Sequence, residues 1–523
     1  LFAANNQTPQ KTSLWITRDN RHMTHRPDLP TDVPAPWVNA VTAGLAQLGP
    51  SFATPTWPTP LPAPHWVGCN DALRHELGLP NDLWQQQEAL ELCTGNRLLG
   101  EHPMYASVYS GHQFGQWAGQ LGDGRAILLG EINGQELQLK GAGKTRYSRM
   151  GDGRAVLRSS IREFLCSEAM HFLGIPTTRA LSVVGSEMPV RRETVETAAV
   201  CTRLAPSFLR IGHFEHFASL QDTSRLKELA DLLIRDHYPE CQNATNPYLE
   251  LFKQICGRNA KLVAQWQAVG FCHGVLNSDN ISAIGLTMDY GPFGFMDQFQ
   301  IDHICNHSDQ GGRYAYHRQP QIMHWNMACL ASAFLPLLEL NHDANDAQTL
   351  LREALEEFAV SYAKAWQFLF RQKLGLTTAQ DGDTHLIERL LQVMHDSRVD
   401  FTYFFRRLGQ VQQEQKVQTI ALRDHFLDRE LIDQWFSDYI NRLKSENSSD
   451  EARQRAMNLV NPKFVLRNHL AQGAIDKAKQ HDFSEIQTLL KLLANPYDEQ
   501  VEYDAYAMPP PPDLEKIEVS CSS

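Results

Sequence analysis

The sequence predicts an α+β protein in which a small lobe of mixed strands and helices precedes a large helical lobe. Strand patterns at Ala126–Glu131 and Glu136–Lys140 flank Asn133-Gly134, the strongest short signal for a β-hairpin. From about residue 225 onward, apolar residues recur with helical spacing instead. A chain of 523 residues has room for both lobes and for terminal extensions.

The remaining elements divide the chain into four parts. A helix is predicted over Ser159–Leu173, ending before Gly174, and strands at Ala180–Val184 and Ala198–Leu204. Helices of the large lobe are predicted at Ser224–Asp236, Tyr248–Val269, His324–Leu340, Ala347–Phe370 and His385–Asp396. We therefore expect an N-terminal extension packing on the body (1–100), a small lobe (101–206), a helical lobe (207–495) and a flexible C-terminal tail (496–523).

Composition excludes several functional classes. The chain has 42% hydrophobic residues without an apolar run long enough to span a bilayer, so no membrane association is expected. A net charge of −12 argues against nucleic-acid binding through phosphate attraction. Ten scattered cysteines without a Cys-x-x-Cys pair fit a reducing compartment. We expect a monomer in the bacterial cytoplasm, and a processed mitochondrial form is the alternative.

A glycine-rich stretch, Ser110–Arg125, precedes the predicted hairpin, and the hairpin ends in Lys140. Glycines let backbone N–H groups approach phosphates closely. A glycine-rich loop, two strands ending in lysine and a helix carrying Glu163 occur in the order of a protein-kinase small lobe. The fold class is therefore expected to be kinase-like and bilobal. In an alternative interpretation, Gly141–Thr145 is the end of a P-loop, but Gln138 occupies the position where that motif needs a glycine.

The five residues Gly122–Ala126 recur at Gly151–Ala155, in different surroundings. They are either two phosphate sites made of backbone and arginine or two similar turns. Downstream, Arg203 and Arg210 could bind phosphate bidentately or lie on the surface.

The segment 273–291 carries the strongest catalytic pattern. Asp279, Asn280 and Asp289 place three oxygen-bearing side chains close together, as Mg²⁺ prefers. Aligned from His273, Asn280 and Asp289 match the metal-binding Asn and Asp of protein kinases. Val275 stands where the kinase catalytic aspartate should be, so Asp279 is the nearest carboxylate that could replace it.

Long motifs in the chain closely resemble the selenoprotein O family of pseudokinases, and the likeness covers nearly the whole chain. The matching segments are His273–Asn280 continuing through Asp289–Asp297, Lys140–Arg158, Ile304–Asp309 and the Cys-Ser-Ser ending. Many relatives, chiefly eukaryotic, carry selenocysteine where this chain has Cys521. That difference puts a selenium-specific redox role in doubt here.

The resemblance implies a protein adenylyltransferase that moves AMP from ATP to Ser, Thr or Tyr hydroxyls of proteins, with Mg²⁺ or Mn²⁺ and release of pyrophosphate. It implies nucleotide contacts from Gly122, Gly124, Arg125, Lys140, Asp152, Gly153, Arg203, Arg210 and Asp289. It further implies a Lys140–Glu163 ion pair, metal ligands Asn280 and Asp289, and Asp279 as the general base. Transfer of AMP implies ATP bound in an orientation flipped relative to kinases.

Two alternatives and one redox hypothesis accompany this expectation. Val275 motivates a nucleotide-binding pseudokinase scaffold without turnover, and UMP transfer from UTP is a further option. A thiol at the end of a mobile tail could reach the body, and Cys305 is the candidate partner of Cys521 in a regulatory disulfide. An inert terminal cysteine is the alternative.

Overall fold

A computed structural model describes residues 29–30, 37–41, 44–414, 417–446, 448–511 and 517–520. The elements of the first part of the chain are β1 (Ala53–Thr56), β2 (His65–Cys69), α1 (Asp71–Glu76), α2 (Gln87–Thr94), β3 (Met104–Ser107), β4 (Ser110–Gln113), β5 (Gln116–Gln120), β6 (Ala126–Ile132), β7 (Gln135–Lys140), β8 (Ala155–Val156), α3 (Leu157–Phe172), β9 (Arg179–Arg191) and β10 (Val195–Ala205).

The second part is mostly helical. Its elements are α4 (Ile211–Ser219), α5 (Thr223–His237), α6 (Pro247–Ala268), β11 (Phe271–Cys272), β12 (Gly294–Phe295), α7 (Gln319–Leu338), α8 (Ala344–Lys373), α9 (Asp383–Ser397), α10 (Phe401–Leu408), α11 (Val417–Arg423), α12 (Arg429–Lys444), α13 (Asp450–Asn458), α14 (Asn468–Ala478), α15 (Ser484–Leu493) and α16 (Asp504–Ala507). Short 3₁₀ helices lie at Gly44–Leu48, Leu83–Gln85, Pro239–Asn243, Ser278–Asn280, Tyr316–Arg318 and Val501–Tyr503. The chain is thus a mixed α+β protein, as the sequence predicts.

One antiparallel sheet organises the first part. Its strand order is β1-β3-β6-β7-β10-β9-β2, with β8 paired to β10. Asn133 and Gly134 both have positive φ, 51° and 76°, as a two-residue hairpin turn between β6 and β7 requires. The hairpin brings Lys140, the last residue of β7, opposite Ala126 and beside Cys201 of β10. Lys140 therefore lies near the middle of the sheet.

The two outer strands of this sheet come from the stretch before residue 100. β1 pairs with β3 at one edge and β2 pairs with β9 at the other. Pro55 lies within β1, where an edge strand tolerates the missing N–H donor. The predicted N-terminal extension therefore contributes two strands to the sheet, a pairing that local sequence patterns do not reveal.

Helix α3 joins the sheet to the helical part. Ile161, Phe164 and Leu165 are fully buried in the same apolar cluster as Val183 of β9 and Phe252 of α6. This packing fixes the face of α3 that carries Glu163, which is itself 3% exposed. The second apolar cluster, built around Phe404 and Trp435, lies farther along the chain.

The described part of the chain contains no helix long and apolar enough to cross a membrane. Toward the C-terminus, the chain forms the short helix α16, and Val519 makes a parallel bridge with Asn306. Val519 is 6% exposed, so this part of the tail packs on the body.

Candidate nucleotide-transfer site

A cleft of about 480 Å³ opens between the sheet and the loop that follows α6. Most of the site residues that the sequence predicts line this one cleft. They are Gly122, Gly124, Arg125, Lys140, Asp152, Gly153, Arg203, Arg210, Asp279, Asn280 and Asp289. Glu163 lies behind Lys140, in the interior.

The two Gly-Asp-Gly-Arg turns both line this cleft. Gly122 has a φ of +130°, and a Cβ there would lie 2.5 Å from the Tyr147 ring. At Gly153, with a φ of +72°, a Cβ would lie 2.2 Å from the Gly143 backbone. Both turns thus need glycine for close packing, and each brings an arginine to the cleft.

Within the predicted glycine-rich stretch, Gln113 and the residues from Leu121 onward line the cleft. Ser110–Gln113 and Gln116–Gln120 instead form a separate two-stranded hairpin, β4–β5. Local glycine content does not distinguish a phosphate loop from a hairpin with a tight turn at Phe114-Gly115, both of which have positive φ. The hairpin nevertheless reaches the site, because Gln113 Nε2 donates to Asp279 Oδ2 at 3.2 Å.

The segment Gly141–Thr145 does not form a P-loop. In a P-loop the motif leads directly into a helix, whereas here turns and the short strand β8 come before α3 begins at Leu157. Lys144 is exposed and is not among the residues that line the cleft.

Lys140, Glu163 and Arg203 form a buried ion-pair network at the inner end of the cleft. Lys140 Nζ donates to Glu163 Oε2 at 2.6 Å, and Arg203 Nη1 donates to Glu163 Oε1 at 2.8 Å. Burial opposes ionisation of Glu163, but Lys140 and Arg203 hold the pKa of its carboxyl below the usual value. Each carboxylate oxygen thus holds one cation, which fixes the two side chains relative to α3.

Asp289 connects this network to the segment 273–291, which we call the metal loop after its predicted ligands. Its Oδ1 accepts from Arg203 at 2.8 Å and lies 3.5 Å from Lys140 Nζ, while Oδ2 pairs with Arg210. Burial opposes ionisation, but Arg210, Lys140 and Arg203 hold the pKa of Asp289 well below its usual range. Asp289 has a φ of +58°, which aspartate tolerates better than most residues.

Three cations against two carboxylates leave this network with a net positive charge. Each cation already makes at least one close contact with a carboxylate, so its position is defined before any ligand arrives. Preorganised positive groups of this kind suit a polyphosphate.

His273 holds the two halves of the metal loop together. Its ring Nε2 donates to the Met288 carbonyl at 2.9 Å, and its backbone N–H donates to Gln319 at 2.9 Å. Burial lowers the pKa of His273, which keeps the ring neutral. Val275 lines the cleft, and its carbonyl accepts from Asn280 Nδ2 at 3.1 Å, a bond that uses the amide nitrogen of Asn280 and not its oxygen.

Asp279 has an environment opposite to that of Asp289. Burial raises the pKa of its carboxyl to about 6, against the lowering effect of the Gln113 hydrogen bond and of Arg210. Among the described residues, Asp279 Oδ1 is buried without a hydrogen-bond partner. A carboxylate with a raised pKa and a free oxygen can accept a proton near neutral pH.

Two contributions to the site escape local sequence patterns. Arg192, in the turn between β9 and β10, donates to Asp152 through both Nη atoms, at 2.7 and 3.0 Å. Gln113 reaches Asp279 from the β4–β5 hairpin. Both residues join segments far apart in sequence, and no local sequence signal identifies Arg192 as part of the site.

The donor set of the metal loop fits a hard divalent cation. The pKa of Asp289 is held well below its usual range, the hydrogen bond from Asn280 to Val275 uses the amide nitrogen and not the oxygen, and both residues line the cleft. Mg²⁺ sites commonly combine one or two carboxylates with substrate phosphates. Which metal binds stays a prediction.

The tail thiol Cys521 lies outside the described residues. Cys305 Sγ donates to the Pro292 carbonyl at 2.9 Å, at the end of the metal loop. The His307 N–H donates to the Val519 carbonyl at 2.8 Å, so the tail runs past the segment that carries Cys305. The Cys305–Cys521 disulfide stays a prediction.

The cleft, its cation cluster and the oxygen-bearing side chains of the metal loop suit a nucleotide-dependent transferase. The family model described as "Protein adenylyltransferase SelO" matches residues 38–494. The chain therefore belongs to the SelO family, as its motifs predict, and is a protein nucleotidyltransferase.

Bacterial proteins named as nucleotidyltransferases are similar to this chain over nearly its whole length. A protein nucleotidyltransferase YdiU from Burkholderia multivorans is 53% identical over 512 residues, covering 95% of this chain and 97% of the relative. Proteins of the same name from Burkholderia ambifaria and Burkholderia pseudomallei are 53% and 52% identical, with the same coverage.

Proposed function

We propose that this chain transfers AMP from ATP to Ser, Thr or Tyr hydroxyls of protein substrates and releases pyrophosphate. One observation carries the proposal: a buried carboxylate suited to proton transfer, Asp279, lines the same cleft as a preformed cluster of phosphate-binding cations. Family membership supports nucleotidyl transfer, and the arrangement of these groups supports the residue roles.

The cations act on the leaving group. Lys140, Arg203 and Arg210 hold the β- and γ-phosphates, and Arg125 and the turns at 122–124 and 152–153 contact the rest of the nucleotide. In this orientation the α-phosphorus faces the acceptor. Phosphoryl chemistry depends on positioning and charge neutralisation, which a fixed cation cluster supplies.

Asp279 acts on the acceptor. The substrate hydroxyl oxygen attacks the α-phosphorus, its proton passes to the Asp279 carboxylate, and the bond between the α-phosphorus and the bridging oxygen breaks. Pyrophosphate then carries away the electron pair of that bond. Gln113 orients the carboxylate through one oxygen and leaves the other to receive the proton.

Asn280 and Asp289 would hold Mg²⁺ or Mn²⁺. A divalent cation supplies additional neutralisation of phosphate charge. Asp289 also contacts Lys140, Arg203 and Arg210, so one carboxylate orients all three cations.

The arrangement supports a kinase-like bilobal reading of the chain. The sheet and α3 would form the small lobe, up to about residue 206, and the helices from α4 onward the large one. The cleft lined by both parts corresponds to the nucleotide site of that plan. The Burkholderia relatives favour a bacterial over a mitochondrial setting.

Labelling with ATP carrying radiolabel on either the α- or the γ-phosphate tests the proposal. We expect label only from the α position, on this chain or on added protein substrates, and a strongly reduced rate of labelling with Asp279→Asn. Label from the γ position alone would instead indicate a kinase. ATP binding without label from either position would favour the scaffold that Val275 suggests, and stronger labelling from α-labelled UTP would indicate UMP transfer.

A further inference from the structure

Three side chains of metal-binding type meet outside the cleft, behind the β4–β5 hairpin. They are His112 on β4, Glu215 on α4 and Cys329 on α7. One potential ligand atom from each residue lies within 4.8 Å of those from the other two. The three residues are distant in sequence, so no short sequence motif predicts the cluster.

Glu215 shows that the cluster is more than an ion pair. Its side chain is 3% exposed, and Oε1 accepts from His112 Nδ1 at 2.7 Å. Within the described part of the chain, the buried Oε2 has no hydrogen-bond partner. Burying a carboxylate oxygen without a partner is costly, and a cation at this position would remove that cost.

The surroundings hold the cluster in place. The rings of Trp117 and Trp325 meet the His112 ring edge-on, with centroids 5.0 and 5.3 Å away. Arg313 is the neighbouring cation, and its guanidinium lies 4.6 Å from the Trp325 ring centroid. Arg313 therefore stacks on the aromatic wall, and it does not satisfy the free oxygen of Glu215.

We propose that His112, Glu215 and Cys329 bind Zn²⁺ or a chemically similar divalent transition-metal ion. Imidazole, carboxylate and thiolate together suit such ions, whereas Mg²⁺ prefers oxygen ligands alone. Three protein ligands leave a fourth position for water. This site is separate from the cleft and differs from it in donor chemistry.

A bound ion would connect the hairpin to two helices. The His112 backbone N–H donates to Ser278 Oγ at 2.7 Å, and the adjacent Gln113 donates to Asp279. Fixing His112 to α4 and α7 would therefore hold Gln113 against the proposed base. This consequence rests on the proposed function, but the binding of metal itself does not.

Titration of metal-free, full-length protein with Co²⁺ tests the site, because a thiolate ligand gives a near-ultraviolet charge-transfer band that oxygen ligands do not. We expect the band to saturate at one equivalent of Co²⁺ and to disappear in Cys329→Ser. Asp289→Asn should keep it, even if AMP transfer is lost. Loss of activity and loss of this site are therefore distinguishable.

Matched variants exclude other positions. Cys69→Ser removes another partly exposed thiol, Cys521→Ser removes the tail thiol, and His481→Asn removes one member of the surface group His65, Glu187 and His481. All three should retain the band. A wild-type protein without the band, or a band that survives Cys329→Ser, would overturn the proposal.

Thermal unfolding gives an independent readout. Without metal, Cys329→Ser should melt close to the wild type, since serine is nearly isosteric with cysteine. Added Zn²⁺ should raise the Tm of the wild type, because a ligand that binds only the folded state stabilises it. An equal rise in Cys329→Ser would contradict the assignment.

Discussion

The loops that carry Asp279 and Asp289 line one cleft but give their carboxyl groups opposite properties. Burial raises the pKa of Asp279 to about 6, whereas three cations hold that of Asp289 well below its usual range. The same residue type can therefore accept a proton at one position and remain a fixed anion at the other. Environment, more than identity, assigns acid–base roles in such a pair.

The largest expected effect comes from removing the fixed anion. Asp289→Asn keeps a residue that tolerates positive φ but leaves Arg203 and Arg210 without their shared carboxylate. Without the anion that positions these cations, the transition state should lose several kcal/mol of stabilisation. AMP transfer, measured with α-labelled ATP, should therefore fall about 1,000-fold. Glu196→Gln, which breaks the Arg158 pair outside the cleft, is the control and should transfer AMP normally.

Removing the proton acceptor should have a somewhat smaller effect. Asp279→Asn should lower the transfer rate by about 100-fold, at the lower end of general-base contributions. ATP affinity, measured by calorimetry, should stay within a few-fold of wild type because the phosphate cations are untouched. An affinity loss as large as the rate loss would mean that Asp279 binds nucleotide instead.

The pH dependence of the transfer rate should distinguish the carboxyl group of Asp279 from that of Asp289. Asp279 must be ionised to accept a proton, so the transfer rate should fall as the pH drops below about 6. Asp289 should stay ionised throughout that range. Gln113→Leu removes a hydrogen bond that favours the carboxylate and should move the inflection to higher pH. An inflection unmoved by this change would argue against Asp279 as the titrating group.

The sequence predicted which residues meet in the cleft better than it predicted the strand pairings that shape the cleft. Asp279, Asn280 and Asp289 lie in one short segment, so their proximity follows from chain connectivity. The order of strands and helix, which matches that of a protein-kinase small lobe, predicts the ion pair between Lys140 and Glu163. The structure shows the two side chains in contact. Their roles in nucleotide binding remain predictions.

Other features depend on strand pairing that residue composition does not predict. The glycine content of 110–125 suited a phosphate loop, yet Ser110–Gln120 forms a hairpin because β4 and β5 find each other locally. Arg192 reaches Asp152 only because the long β9–β10 hairpin extends over the second glycine turn. No periodic pattern in the sequence predicts this contact between Arg192 and Asp152.

The smallest effect is expected at the rim of the cleft. Asp152→Asn weakens the bidentate contact with Arg192, but the Asp152 side chain is 44% exposed, so little stability should be lost. ATP affinity should change only a few-fold, since the Gly153 backbone keeps its position against Gly143. A Gly153→Ala variant, which introduces a Cβ into that contact, should be clearly worse in both ATP affinity and Tm.

The two outer strands of the sheet also constrain how the chain can be synthesised. β1 and β2 leave the ribosome first, but Trp66 has no partner until Val184 has emerged. The nascent chain must therefore keep an apolar strand segment unpaired through most of the translation of the sheet, a period when such segments are open to aggregation or chaperone capture. A shortened chain that begins near residue 100 would escape that delay, but both edges of its sheet would lack a partner strand, and it should be recovered mainly as aggregates.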